Sequence, residues 1–121
     1  MPAAVAKTLE RVRAICMDLP EATEKLSHGS PTWFVKKTFV MFLNDHHGDG
    51  ILGIWAAAPP GAQEALIASK PDVYFRPPYV GHRGWIGMRL DTKKVDWDEV
   101  EGIIEDAYCA VAPAKLVALV R

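Results

Sequence analysis

The chain has 121 residues, half of them apolar and a quarter charged, and a net charge of −1. That length suits one core and one domain over residues 1–121, and the near-zero charge excludes a global electrostatic pull toward nucleic acid. No apolar run approaches the ~20 residues of a membrane span, and MPAAVAKTLERVRA at the start lacks the continuous apolar core of a signal peptide. A cytoplasmic protein without membrane association is therefore expected.

Val5, Leu9, Val12 and Cys16 recur at helical spacing, with Ile15 widening the stripe, which predicts an amphipathic helix over about residues 3–17. Leu19-Pro20 closes it. Thr23 to His28 is compatible with a short edge strand, and His28-Gly29-Ser30-Pro31 marks a turn. Thr32 to Val35 and Thr38 to Leu43 are two strands joined by Lys36-Lys37 at a solvated tip. Asn44 to Gly50 (NDHHGDG) reads as a polar turn. Ile51 to Ala58 is a further strand, and Pro59-Pro60-Gly61 opens a helix to about Ser69.

Val73 to Leu90 concentrates four aromatics, three arginines and a histidine. Val73 to Arg76 reads as a strand ended by Pro77-Pro78, and Tyr79 to Gly84 as a loop. Trp85 to Leu90 alternates, with Ile86, Met88 and Leu90 on a core face. Trp85, Gly87 and Arg89 take the other face, where the glycine leaves space between indole and guanidinium. Such a pair suits stacking on bases and contact with phosphates; in the alternative, Trp85 covers the sheet and Arg89 pairs with a carboxylate from a neighbouring element. Asp96 is placed to cap a final helix, with Glu99 three residues on completing a capping box. Trp97, Val100, Ile104, Ala107, Tyr108 and Val111 follow at helical spacing, and residues after Pro113 add a last helical turn or two.

The order implies α+β, a two-layer fold with a mainly antiparallel sheet and helices on one face. Charge is segregated along the chain. Residues 25–44 carry +3, residues 70–94 carry +4 and residues 95–106 carry −6. If the two basic segments share a face, one side of the molecule attracts anions; if instead acids and bases pair across the surface, each pair is worth only ~0–1 kcal/mol.

Chemistry-bearing constellations do not assemble from sequence. His46-His47-x-Asp49 has no third ligand at a useful spacing for a metal. Cys16 and Cys109 sit in helical patterns as small buried hydrophobes, without an activating base. There is no G-x-S-x-G, no P-loop and no dinucleotide fingerprint. No catalysis and no cofactor are expected.

LPEATEKLSHGSPTWFV (19–35), KTFVMFL (37–43), PPYVGHRGWIGMRLD (77–91) and AYCAVAPAK (107–115), in that order, resemble the MmcQ/YjbR-like family of small bacterial proteins. The resemblance implies a fold in the order α-β-β-β-α-β-β-α, likened to frataxin-type and secretion-chaperone-type domains, and a DNA-binding role. Carried onto this chain it points to Trp33, Tyr79, His82, Arg83, Trp85 and Arg89. The first helix lacks the acidic ridge that a frataxin-like iron role would need.

Three functions compete. A DNA-binding protein would use Lys36, Lys37, Arg76, Arg83 and Arg89 on phosphates, with Trp33, Tyr79 and Trp85 among them. A protein-interaction module would dock a partner, or a second copy of itself, through the sheet's open face. A small-anion or metabolite pocket would gather His28, Tyr79, His82, Arg83 and Trp85.

Overall fold

The computed structural model describes residues 2–121. In chain order it contains α1 (Ala3–Met17), β1 (Thr23–Ser27), β2 (Ser30–Val35), β3 (Lys37–Asn44), β4 (Leu52–Ala56), α2 (Ala62–Ser69), β5 (Tyr74–Phe75), β6 (Ile86–Arg89), α3 (Trp97–Val111) and α4 (Ala114–Val120). Short 3-10 turns occupy His46–Gly48 and Gly81–Arg83. The six strands form one sheet in the order β1-β2-β3-β4-β6-β5, with every neighbouring pair antiparallel. The α+β architecture is as expected. Thr23–Ser27 becomes the edge strand, so four strands precede α2, and the C-terminal segment forms a separate short helix.

Helix α1 buries Leu9, Val12 and Cys16, the stripe set by its apolar spacing. In α3, Asp96 accepts hydrogen bonds from the backbone N–H groups of Asp98 (3.1 Å) and Glu99 (3.2 Å). The reciprocal half of the capping box does not form. Glu99 instead accepts from Lys70 Nζ at 2.6 Å and from the Tyr74 hydroxyl, tying α3 to the chain between α2 and β5.

Cross-strand register assigns the two sheet faces, because directly opposed residues share a face. One row runs Glu24, Trp33, Val40, Ala56, Ile86. It faces the helices: Arg13 of α1 grips Glu24 through Nε and Nη2, both at 2.8 Å, and Trp33 Nε1–H donates to Glu24 at 3.0 Å. The opposite row runs Lys25, Thr32, Met41, Trp55, Gly87, Phe75.

Strand β3 breaks simple alternation. Trp33 pairs with Val40 but Phe34 pairs with Thr38, so Phe39 has no partner on β2 and forms a bulge. Phe39 and Val40 are both fully buried, and the Phe39 ring meets Tyr108 of α3 edge-on at 5.6 Å. The bulge thus gives two consecutive apolar side chains to the helix layer and leaves Met41 and Leu43 on the other face.

The space at Gly87 is not open, contrary to the sequence expectation. The Phe75 ring lies over it, and a Cβ there would fall inside the ring's van der Waals envelope. The expected outcome of Gly87→Ala is a loss of about 1–3 kcal/mol through overpacking, part of which returns when Phe75→Leu is added. Urea denaturation of the two single variants and the double variant measures this, and additive effects would contradict it.

Three carboxylates are held below their ordinary range by ion-paired hydrogen bonds. Arg13 acts on Glu24, Arg89 on Asp91, and Lys70 followed by Tyr74 on Glu99. A depressed folded-state pKa contributes stability above the unfolded value, ~3.9 for Asp and ~4.3 for Glu, and that stability is lost as pH falls through the folded value. Unfolding free energy should therefore hold from about pH 7 to about pH 5 and fall below about pH 4. Glu24→Gln should cost about 1–3 kcal/mol at neutral pH and make the acid-side fall shallower. Urea melts across this range, with an acid-side fall unchanged in the variant, would refute that role for Glu24.

Candidate functional site

Two places on the sheet bring together residues with chemical potential. The first is one end of the sheet. Ala56 pairs with both Val40 and Ile86, and Phe75 pairs with Gly87. The β2–β3 tip at Lys36-Lys37 and the chain leaving β5 at Arg76 therefore emerge from the same end. Three strand steps separate the two connections, ~14 Å at a spacing of about 4.8 Å. Lys36, Lys37, Arg76, His82 and Arg83 are all exposed. Among the described residues, none of these four lysines and arginines has an ion-pair partner.

The β5–β6 connection is held from beneath. Gln63 of α2, itself buried, donates from Nε2 to the carbonyls of Gly81 (2.8 Å) and Trp85 (2.6 Å). A side chain on Gly81 would collide with the Arg76 stem, and the Arg83 guanidinium lies 5.5 Å from the Trp85 ring. Gln63 escaped the sequence reading because a glutamine among helical residues looks like solvated surface. Its two carbonyl partners lie 18 and 22 residues away.

Three expected site residues are placed differently. Trp33 is 0% exposed and Trp85 4% exposed, so neither indole is available to stack on a ligand. Arg89 is half-buried and ion-paired with Asp91, through Nε at 2.9 Å and Nη2 at 3.0 Å. Of the two readings of this strand, a ligand-facing indole–guanidinium pair is set aside and the packed one holds: Trp85 is covered and Arg89 pairs with a carboxylate, that of Asp91 two residues on rather than one from a neighbouring element. The alternation was right about the shared face; the structure covers the indole and satisfies the guanidinium locally.

The second place is a cavity of about 610 Å³ on the sheet face away from α1 and α3. Met41 and Leu43 of β3 and Trp55 of β4 line it from the sheet. Ser27, His28 and Ser30 of the β1–β2 turn contribute one side, and Tyr79 and Val80 of the β5–β6 connection another. His46 and His47 complete it. The His46 ring stands 4.9 Å from Trp55 and 4.1 Å from His47, and Tyr79 lies 6.0 and 6.3 Å from the two imidazoles. His46 Nε2 is buried without a hydrogen-bond partner.

Of the five residues expected to form a pocket, His28 and Tyr79 meet in this cavity, whereas His82, Arg83 and Trp85 do not line it. His46, His47 and Trp55 were missed. NDHHGDG reads as a solvated turn, and only the fold brings it against β4 and residue 79. Among the described residues, no group of three or more His, Cys, Asp or Glu side chains is arranged to hold a metal ion. Burial pushes the Cys16 thiol far above its usual pKa, which keeps it protonated and unreactive. No helix among the described residues is long and apolar enough to cross a membrane.

No curated protein is significantly similar to this chain. The crystal structure of Deinococcus radiodurans protein DR2400, which carries a DUF419 domain, superimposes with a TM-score of 0.70 at 17% identity. The match covers 88% of this chain and 80% of that one, and at this identity it shows a shared fold. The YjbR family profile matches residues 17–110, which span the whole sheet and nearly all of α3. The chain belongs to the YjbR family.

Proposed function

We propose that this protein is a non-catalytic, cytoplasmic DNA-binding protein that contacts phosphates through the basic end of its sheet. The observation that carries the reading is the convergence of Lys36, Lys37, Arg76 and Arg83 on one sheet end, exposed and without ion-pair partners among the described residues. Unpaired cations on two projections from one sheet end are the pattern that tracks a phosphate backbone. Several acids are engaged elsewhere: Glu99 with Lys70, Asp91 with Arg89, and Glu105 and Asp106 with Arg121. With Trp33 and Trp85 buried, the binding is electrostatic rather than dependent on their stacking, which favours positioning over base readout.

Fluorescence anisotropy with a labelled duplex tests this. Four neutralised phosphates give a log–log salt slope of about −3.6 between roughly 50 and 200 mM salt. Reversing two of the charges in Lys36→Glu/Lys37→Glu should weaken binding by roughly tenfold or more at low salt. Arg89→Ala should bind like the parent, because that guanidinium is already paired with Asp91. Salt-independent binding, or binding indifferent to the double reversal, would refute the reading.

A further inference from the structure

We propose that the sheet-face cavity is a binding site for a small, planar, uncharged heteroaromatic molecule. Its volume, about 610 Å³, lies in the range of pockets that enclose such ligands, ~300–1,000 Å³. The lining sets the ligand's chemistry. No lysine, arginine, aspartate or glutamate lines it, so a charged ligand would lose hydration without gaining a counter-charge. Met41 and Leu43 offer apolar surface, while Trp55, Tyr79, His46 and His47 offer ring faces and edges. Aromatic rings favour offset or edge-on contacts with another ring, the geometry these four already adopt among themselves. Polar edges of the ligand have partners as well. His46 Nε2 is buried with its hydrogen-bonding capacity unused, and the Ser27 and Ser30 side chains border the same space.

The backbone adds an independent observation. Six non-glycine residues among those described have positive φ, and three of them line this cavity: His28 (51°), His47 (50°) and Tyr79 (65°). A fourth, Asp45 (55°), adjoins His46 and is fixed there by accepting from Gly50 N–H at 2.7 Å. Left-handed backbone is costly for a tyrosine, and it persists where surrounding structure and function require it. Tyr79 is 69% exposed, so core packing does not account for its conformation. A tight turn does: the Val80 N–H donates to the Pro78 carbonyl at 2.7 Å around Tyr79, and this strained turn holds the ring beside the two imidazoles.

Indole and adenine are suitable probes, with AMP as a charged counterpart and cyclohexanol as a non-planar one. Titrations followed by NMR should show indole or adenine shifting the Trp55 indole N–H and the Tyr79–Val80 amides, with no dependence on salt. AMP and cyclohexanol should bind at least about tenfold more weakly. Tyr79→Gly relieves the left-handed strain, so its thermal midpoint should match or exceed the parent's while its affinity for the planar probe drops about tenfold. No shift with either planar probe at millimolar concentration would overturn the proposal. So would AMP or cyclohexanol binding as tightly, or a Tyr79→Gly variant that binds unchanged.

Discussion

The bulge at Phe39 is the constraint from which both faces of the sheet follow. Residues 39–43 are all apolar, and a regular strand would send Phe39, Met41 and Leu43 to one face. With Phe39 unpartnered on β2, both it and Val40 turn toward α3 and α1, and Phe42 follows on the same side. Met41 and Leu43 are then left on the opposite face beside Trp55. An apolar row of that size cannot be left fully in water without cost. The β1–β2 turn, the His46–Gly48 turn and the β5–β6 connection close over it. They meet around a cavity rather than a filled core, and the lining of that cavity is what gives the face its chemistry.

Electrostatics divides the same molecule differently. Glu24 joins helix, edge strand and core by accepting from Arg13 and from the buried indole of Trp33. Because that carboxylate is taken up inside the fold, it neutralises no surface cation. Three acids of α3 are also committed, Glu99 to Lys70 and Tyr74, and Glu105 and Asp106 to Arg121. At the β2–β3 and β5–β6 end four cations stay unpaired among the described residues, against the exposed Glu21 just before β1. A net charge of −1 thus conceals a local excess that only the topology brings together.

Much of this was legible in the sequence where a local rule decides the outcome. The stripe of α1, the Asp96 cap and the strand–turn–strand around Lys36 are set by neighbours a few residues apart. Whether the two basic segments would share an end was left open by the sequence, because strand order decides it. What sequence could not disclose were contacts made across the sheet. Trp85 and Arg89 do share a face, but the space between them is filled by Phe75 from the neighbouring strand and the guanidinium is claimed by Asp91. Trp33 could have faced either way, and its register with Glu24 and Val40 turns it inward. The NDHHGDG segment has the composition of a solvated turn, yet it supplies two rings to a cavity whose other walls lie at residues 27, 28, 30, 41, 43, 55, 79 and 80.

Nucleic-acid binding, as proposed for this YjbR-family domain, would use the end of its sheet rather than its face. The most direct test is an amide-resolved NMR titration of the full chain with a short DNA duplex at low salt. Binding through the sheet end should give shifts confined to Lys36, Lys37, Arg76 and His82–Arg83 that fade as salt is added, with Met41, Leu43 and Trp55 unmoved. Shifts centred on the sheet face, or no shifts at all, would contradict it.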